Sequence, residues 1–138
     1  MSIWSLVRLY GLTALVFFTI DIVWIAVVAR SFYSNQIGQL LRVDAYWPAA
    51  LAFYTVYIAG ILVFAVLPGL ADASLPRTIA LGAFLGFFAY ATFDLTCLAL
   101  FENFPPVVAA VDLAWGTFLT GSVAAAGYVA GQWLGLRA

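Results

Sequence analysis

Four apolar runs, each about twenty residues or longer, occupy most of this 138-residue chain and leave few folds open to it. They cover roughly residues 3–29, 47–67, 78–101 and 107–134. At ~1.5 Å rise per residue, about 20 helical residues cross the ~30 Å hydrocarbon core of a bilayer. The runs are continuously apolar rather than alternating, which favours helices over a β-barrel. The expected fold is all-α: a polytopic membrane protein, residues 1–138 forming a single domain of four transmembrane helices in an antiparallel bundle.

Composition supports this. Hydrophobic residues make up 67% of the chain and charged residues 8%, against about 25% charged in a soluble domain. A formal charge of -1 offers no basic patch, so no nucleic-acid partner is expected. There is no His and no Lys, and Cys97 is the single cysteine. Those gaps exclude His-based general base catalysis, His-rich zinc or haem sites, a phosphate-loop lysine and an intrachain disulfide. No cofactor and no metal site is expected, and any metal would be a hard cation held by oxygen. The first run ends in Val27-Val28-Ala29, which resembles a signal-peptide cleavage site. It exceeds the usual stretch of roughly 7–15 apolar residues, and an aspartate interrupts it, so a retained helix is the expectation.

The connections set the topology. The longest polar segment, Arg30 to Tyr46, carries Phe32, Tyr33, Ile37, Leu40 and Leu41 near helical spacing. It reads either as a short amphipathic helix at the interface between helices one and two or as an ordinary loop. The segments Ala71 to Arg77 and Glu102 to Pro106 are tight, which makes neighbouring helices antiparallel. With four spans both termini share a side, bearing Arg8, Arg77 and Arg137 against Arg30 and Arg42 opposite. Three against two favours cytoplasmic termini. Trp4 and Trp133 on one side, and Tyr46-Trp47 on the other, suit interfacial anchors.

Three acids interrupt the runs: Asp21, Asp94 and Asp112. An ionised side chain at the bilayer centre costs on the order of 2.5–3.5 kcal/mol on insertion scales, so such residues usually face a protein interior and mark a site. Asp21 lies eight residues before Ala29, Asp94 seven before Phe101 and Asp112 six after Pro106. At 1.5 Å per residue all three fall ~9–12 Å below the same surface. Trp24 and Trp115 each follow an aspartate by three residues. The ligand-binding set expected on this reading is Asp21, Asp94, Asp112, Trp24, Tyr54, Tyr57, Tyr90, Thr96 and Trp115. No arginine sits at this depth, so burial and mutual repulsion call for a shared proton or a bound cation. The competing expectation is that protonated aspartates only hydrogen-bond between helices.

Two further patterns carry less. Thr19-Ile20-Asp21-Ile22-Val23-Trp24 lines up with Thr92-Phe93-Asp94-Leu95-Thr96-Cys97, and matching Pro48 with Pro106 sets Tyr54 opposite Asp112. Helix pairs one-two and three-four then read as parallel repeats, as in some transporters. Gly82 and Gly86, and the series Gly127, Gly131 and Gly135, have the spacing of close helix contacts. They suit packing inside the bundle or a homodimer seam. Cys97 reads as a small packing residue.

The phrase Tyr90-Ala91-Thr92-Phe93-Asp94-Leu95-Thr96, with Val111-Asp112-Leu113-Ala114-Trp115-Gly116 and Asp21-Ile22-Val23-Trp24, resembles a family of small bacterial inner-membrane proteins catalogued as a domain of unknown function. The resemblance covers essentially the whole chain. It implies four membrane helices and genomic company with fatty-acid-modifying enzymes, and supplies no activity. The family has Asn where this chain has Cys97.

Three functional readings stay open at this point. One is binding or translocation of a small cationic or amphipathic ligand in an acidic intramembrane pocket. Another is an enzyme, or an accessory to one, in membrane-lipid modification. The last is a structural membrane subunit with packing aspartates. Expected partners are membrane lipids, a small molecule or cation, and a second copy of the chain.

Overall fold

The computed structural model describes residues 1–136. Arg137, counted above with the cations on the terminal side, lies outside the described residues. The chain runs through α1 (Ile3–Val23), a π-helical segment (Trp24–Ala29), α2 (Arg30–Ile37) and a 3-10 turn (Gly38–Leu40). After a loop come α3 (Trp47–Ile61), a second π-helical segment (Leu62–Val66), α4 (Leu67–Ala71), α5 (Leu75–Leu100) and α6 (Pro106–Trp133). Four continuous helical stretches, Ile3–Leu40, Trp47–Ala71, Leu75–Leu100 and Pro106–Trp133, are long and apolar enough to cross a membrane.

Local chemistry explains most of the boundaries. Ser2 caps α1 by accepting from the Ser5 N–H at 3.2 Å, and Ser74 caps α5 through the Arg77 N–H at 3.2 Å. Proline occupies the first turns of α3, α5 and α6, where its missing N–H costs nothing. Asn103 at φ 62 and Ala73 at φ 50 reverse the chain in the two tight turns. Ser74 therefore starts the third span three residues earlier than the apolar pattern alone suggests.

Two spans extend beyond their apolar runs. The first does not end near Ala29 but continues through α2, so the amphipathic segment is a prolongation of the span rather than a separate interfacial helix. Its Phe32, Tyr33 and Ile37 pack on Cys97, Phe104, Val108 and Ala109 at the α5–α6 turn, which stabilises the extra turns. The second span passes Pro68 and Gly69 and reaches Ala71. The π-helical segment makes this feasible: the Leu67 N–H bonds to the Leu62 carbonyl five residues back, resetting the ladder before a proline that cannot donate.

Packing centres on α6, which contacts α1, α5 and the second span. The main core joins Leu9 and Phe17 of α1, Ile58, Ile61, Ala65 and Val66 of the second span, and Leu119, Val123 and Tyr128 of α6. Small residues bring α5 and α6 together: a methyl group at Gly82 would meet the Ala124 Cβ at 2.6 Å and the Thr120 carbonyl oxygen at 2.9 Å. Gly127 faces Val66 and Thr13, and Gly131 faces Leu70, so both are taken up inside the bundle. Outward, the protein presents Val27, Val56, Phe88, Phe93 and Phe118, all more than half exposed. So much apolar surface suits acyl chains and not water. Trp4, Trp133, Tyr46 and Trp47 are exposed near the ends of the spans.

Candidate functional site

A cleft of about 1050 Å³ lies beside the first π-helical segment, walled by that segment, α2, the loop after it, and α6. Asp21, Trp24, Tyr33, Tyr90, Asp112 and Trp115 line it, together with Arg30 and Arg42. The two tryptophans that each follow an aspartate stack on one another, ring centroids 4.2 Å apart and planes 8° from parallel. Their recurrence in the sequence is thus one structural contact across α6 and the first span. π-Helical turns are frequent at functional sites, and here Trp24, Ile25, Ala26 and Ala29 of one such segment form a wall.

The three aspartates divide into a pair and a single acid, and do not form one cluster of three. Asp21, 9% exposed, accepts a hydrogen bond from the Tyr54 hydroxyl at 3.1 Å. Asp94 is fully buried on α5, near enough to Asp112 on α6 for the two carboxyls to feel each other's charge. Neither Asp94 carboxyl oxygen has a hydrogen-bond partner. Asp112 accepts a hydrogen bond from the Tyr33 hydroxyl. Tyr54 and Asp112, matched in the internal comparison, each face the aspartate of their own helix pair.

A second, smaller cleft of about 510 Å³ lies between α3 and α5, lined by Phe53, Tyr57, Ala89 and Phe93. It shares Tyr90 and Asp112 with the first. The Tyr90 ring lies against Gly116, which has no side chain to obstruct it. Tyr57, in the lining, is hydrogen-bonded to Thr120 of α6 through their hydroxyls at 2.6 Å.

Of the expected site residues, Asp21, Trp24, Tyr90, Asp112 and Trp115 line the large cleft, Tyr57 lines the small one, and Tyr54 and Asp94 lie directly behind acids. Thr96 is not brought in. It is exposed on the outer face of α5, in a shallow groove with Thr92 and Leu95. Tyr33, Arg30 and Arg42 belong to the cleft although the apolar pattern did not mark them as site residues. Their signal was the helical spacing of Phe32, Tyr33 and Ile37, which fits a lipid surface as well as a protein one. Tyr33→Phe removes the donor to Asp112 and should cost about 1–2 kcal/mol of stability, whereas Thr96→Val should stay within about 0.5 kcal/mol. Thermal unfolding in detergent measures both.

The fold and its apolar exterior define a multi-pass membrane protein with polar groups inside the bundle. Residues 6–129 match the family described as "Predicted membrane protein (DUF2177)", whose function is unknown, and the chain belongs to that family. Neither the curated proteins nor the solved structures contain a match to it.

Proposed function

We propose that the chain binds a small cationic or amphipathic ligand within the membrane, and carries it across or presents it, with proton exchange at its aspartates. The observation that carries this reading is Asp94, fully buried with both carboxyl oxygens unpartnered beside a second acid. A buried polar group without a partner is costly, and two adjacent carboxyls cannot both stay charged without a proton or a cation between them. Asp112 extends that pair to the cleft wall, where Asp21 adds a further acid. Stacked indoles beside the acids suit an organic cation, which aromatic faces attract.

The test is binding of tetraphenylphosphonium to the detergent-solubilised chain across a pH series. Protons and an organic cation compete for the same carboxyl oxygens, so affinity should rise with pH. Replacing Asp21, Asp94 and Asp112 together by Asn should weaken binding at least tenfold, about 1.4 kcal/mol. Equal binding by the triple variant would remove the reading.

The nearness of Asp94 to Asp112 favours a second reading, an enzyme or accessory in membrane-lipid modification with the pair as acid and base. An unchanged lipid profile in a deletion strain would count decisively against it. We also assign the protein to a bacterial inner membrane, on its family resemblance, with cytoplasmic termini on the arginine distribution, and reporter fusions at either end test that orientation.

A further inference from the structure

The two clefts meet at Asp112 and Tyr90, and their linings differ in kind. The large cleft holds both signs of charge. Asp21 and Asp112 line it with Trp24 and Trp115, and Arg30 and Arg42 line it along α2 and the following loop. Among the described residues the one ion pair is Arg77 with Asp72, so neither cleft arginine is engaged by a carboxylate. Arg42 rests over the Tyr46 ring, 5.3 Å from its centroid. The small cleft is mainly apolar, and its Phe53 and Phe93 are exposed on the outer surface of the bundle, where acyl chains lie.

A ligand filling this combined space meets an acidic region, a basic region and a lipid-facing groove. A simple cation leaves the arginines uncompensated, and a simple anion meets Asp21 and Asp112. A molecule carrying both charges pairs with every charged group lining the cleft. We infer that the two clefts together bind one zwitterionic lipid, its ammonium group at Asp112 and Asp21, its anionic group at Arg30 and Arg42, and its acyl chain past Tyr90 in the groove of Phe53, Ala89 and Phe93. This names the ligand class of the site proposed above and rests on that proposal. Arg30 and Arg42 select against bare cations, and Asp112 and Asp21 select against anionic lipids. Tyr90 separates headgroup from chain.

The full chain in maltoside detergent is titrated with four probes: lysophosphatidylethanolamine, lysophosphatidylglycerol, hexadecylamine and glycerophosphoethanolamine. Tryptophan emission follows binding, because Trp24 and Trp115 line the cleft. The zwitterionic lysolipid should bind at least about tenfold more tightly than each of the others, as expected for charge-assisted hydrogen bonds gained at both ends. Arg30→Gln with Arg42→Gln should bring it down to the level of hexadecylamine, whose own binding persists. Ala89→Phe should obstruct the groove and weaken both hexadecylamine and the zwitterionic lysolipid, leaving glycerophosphoethanolamine unchanged. Both arginines are exposed, so the double variant keeps the test available even if Ala89→Phe fails to fold.

Equal binding of hexadecylamine and the zwitterionic lysolipid would overturn the zwitterion while leaving the cationic site in place. Equal binding of glycerophosphoethanolamine would make the ligand a soluble zwitterion and overturn the lipid. Binding of none of the four would overturn both this inference and the binding site beneath it.

Discussion

Asp94→Leu should yield a protein that is more stable when empty and unable to bind its ligand. Leucine branches at Cγ as aspartate does, so it occupies the space of the carboxyl without polar atoms. The wild-type oxygens are fully buried and unpartnered, and a buried unsatisfied group costs about 1–3 kcal/mol. Removing them also removes the repulsion from Asp112 across the α5–α6 contact. Thermal unfolding in detergent should therefore show a gain of about that size, together with loss of cation binding. Asp112→Leu should behave differently, because it strands the Tyr33 hydroxyl that now donates to Asp112. A marked loss of stability in Asp94→Leu would show that this acid holds helices together, and would favour a purely structural role for the aspartates. The contrast separates a group retained for function from one retained for packing.

The sequence revealed the four spans because lipid imposes a length and an apolarity that few other environments demand. Counting helical rise from the α5–α6 turn put Asp94 and Asp112 near one level, and the two are neighbours. The same count from Ala29 took the wrong helix end for Asp21, since the first span runs on to Leu40. The sequence did not reveal that Asp21 pairs with Tyr54 while Asp94 lies near Asp112, since rotation about each helix axis leaves no trace in an all-round apolar run. Thr96 illustrates the same point from within one helix. Two residues from Asp94, it lies about 200° around the axis, so a polar neighbour in sequence faces lipid in space. Tyr33 was hidden differently. Its apolar partners Phe104 and Val108 lie some seventy residues on, and a stripe facing them looks the same as one facing headgroups. The paired tryptophans were legible as a repeat in sequence, but only the fold turns that repeat into a stack.

Substitutions at two glycines on the α5–α6 interface should have opposite outcomes, although each faces the partner helix. A methyl group at Gly86 would run into the Gly116 carbonyl oxygen and meet the Thr120 Cβ and Oγ1 at 2.7 Å each. The first of these is backbone, so the helices themselves must part, and Gly86→Ala should cost about 1–3 kcal/mol. At Gly121 the nearest atoms to a new methyl are the Ala83 Cβ at 3.5 Å and two backbone atoms at 3.6 Å, which is ordinary contact. There the helix-propensity gain of up to about 1 kcal/mol should stand, so Gly121→Ala is expected to be neutral or stabilising. The damage at Gly86 should extend to function. Separating the helices pulls Asp94 from Asp112 and frees Tyr90, whose ring is seated on Gly116 between the two clefts. Gly86→Ala should therefore lose both unfolding temperature and ligand binding, while Gly121→Ala retains both. Unfolding curves and the tetraphenylphosphonium titration, run on the two variants side by side, measure this. Equal behaviour of the two would mean that the α5–α6 contact does not hold the acids in register.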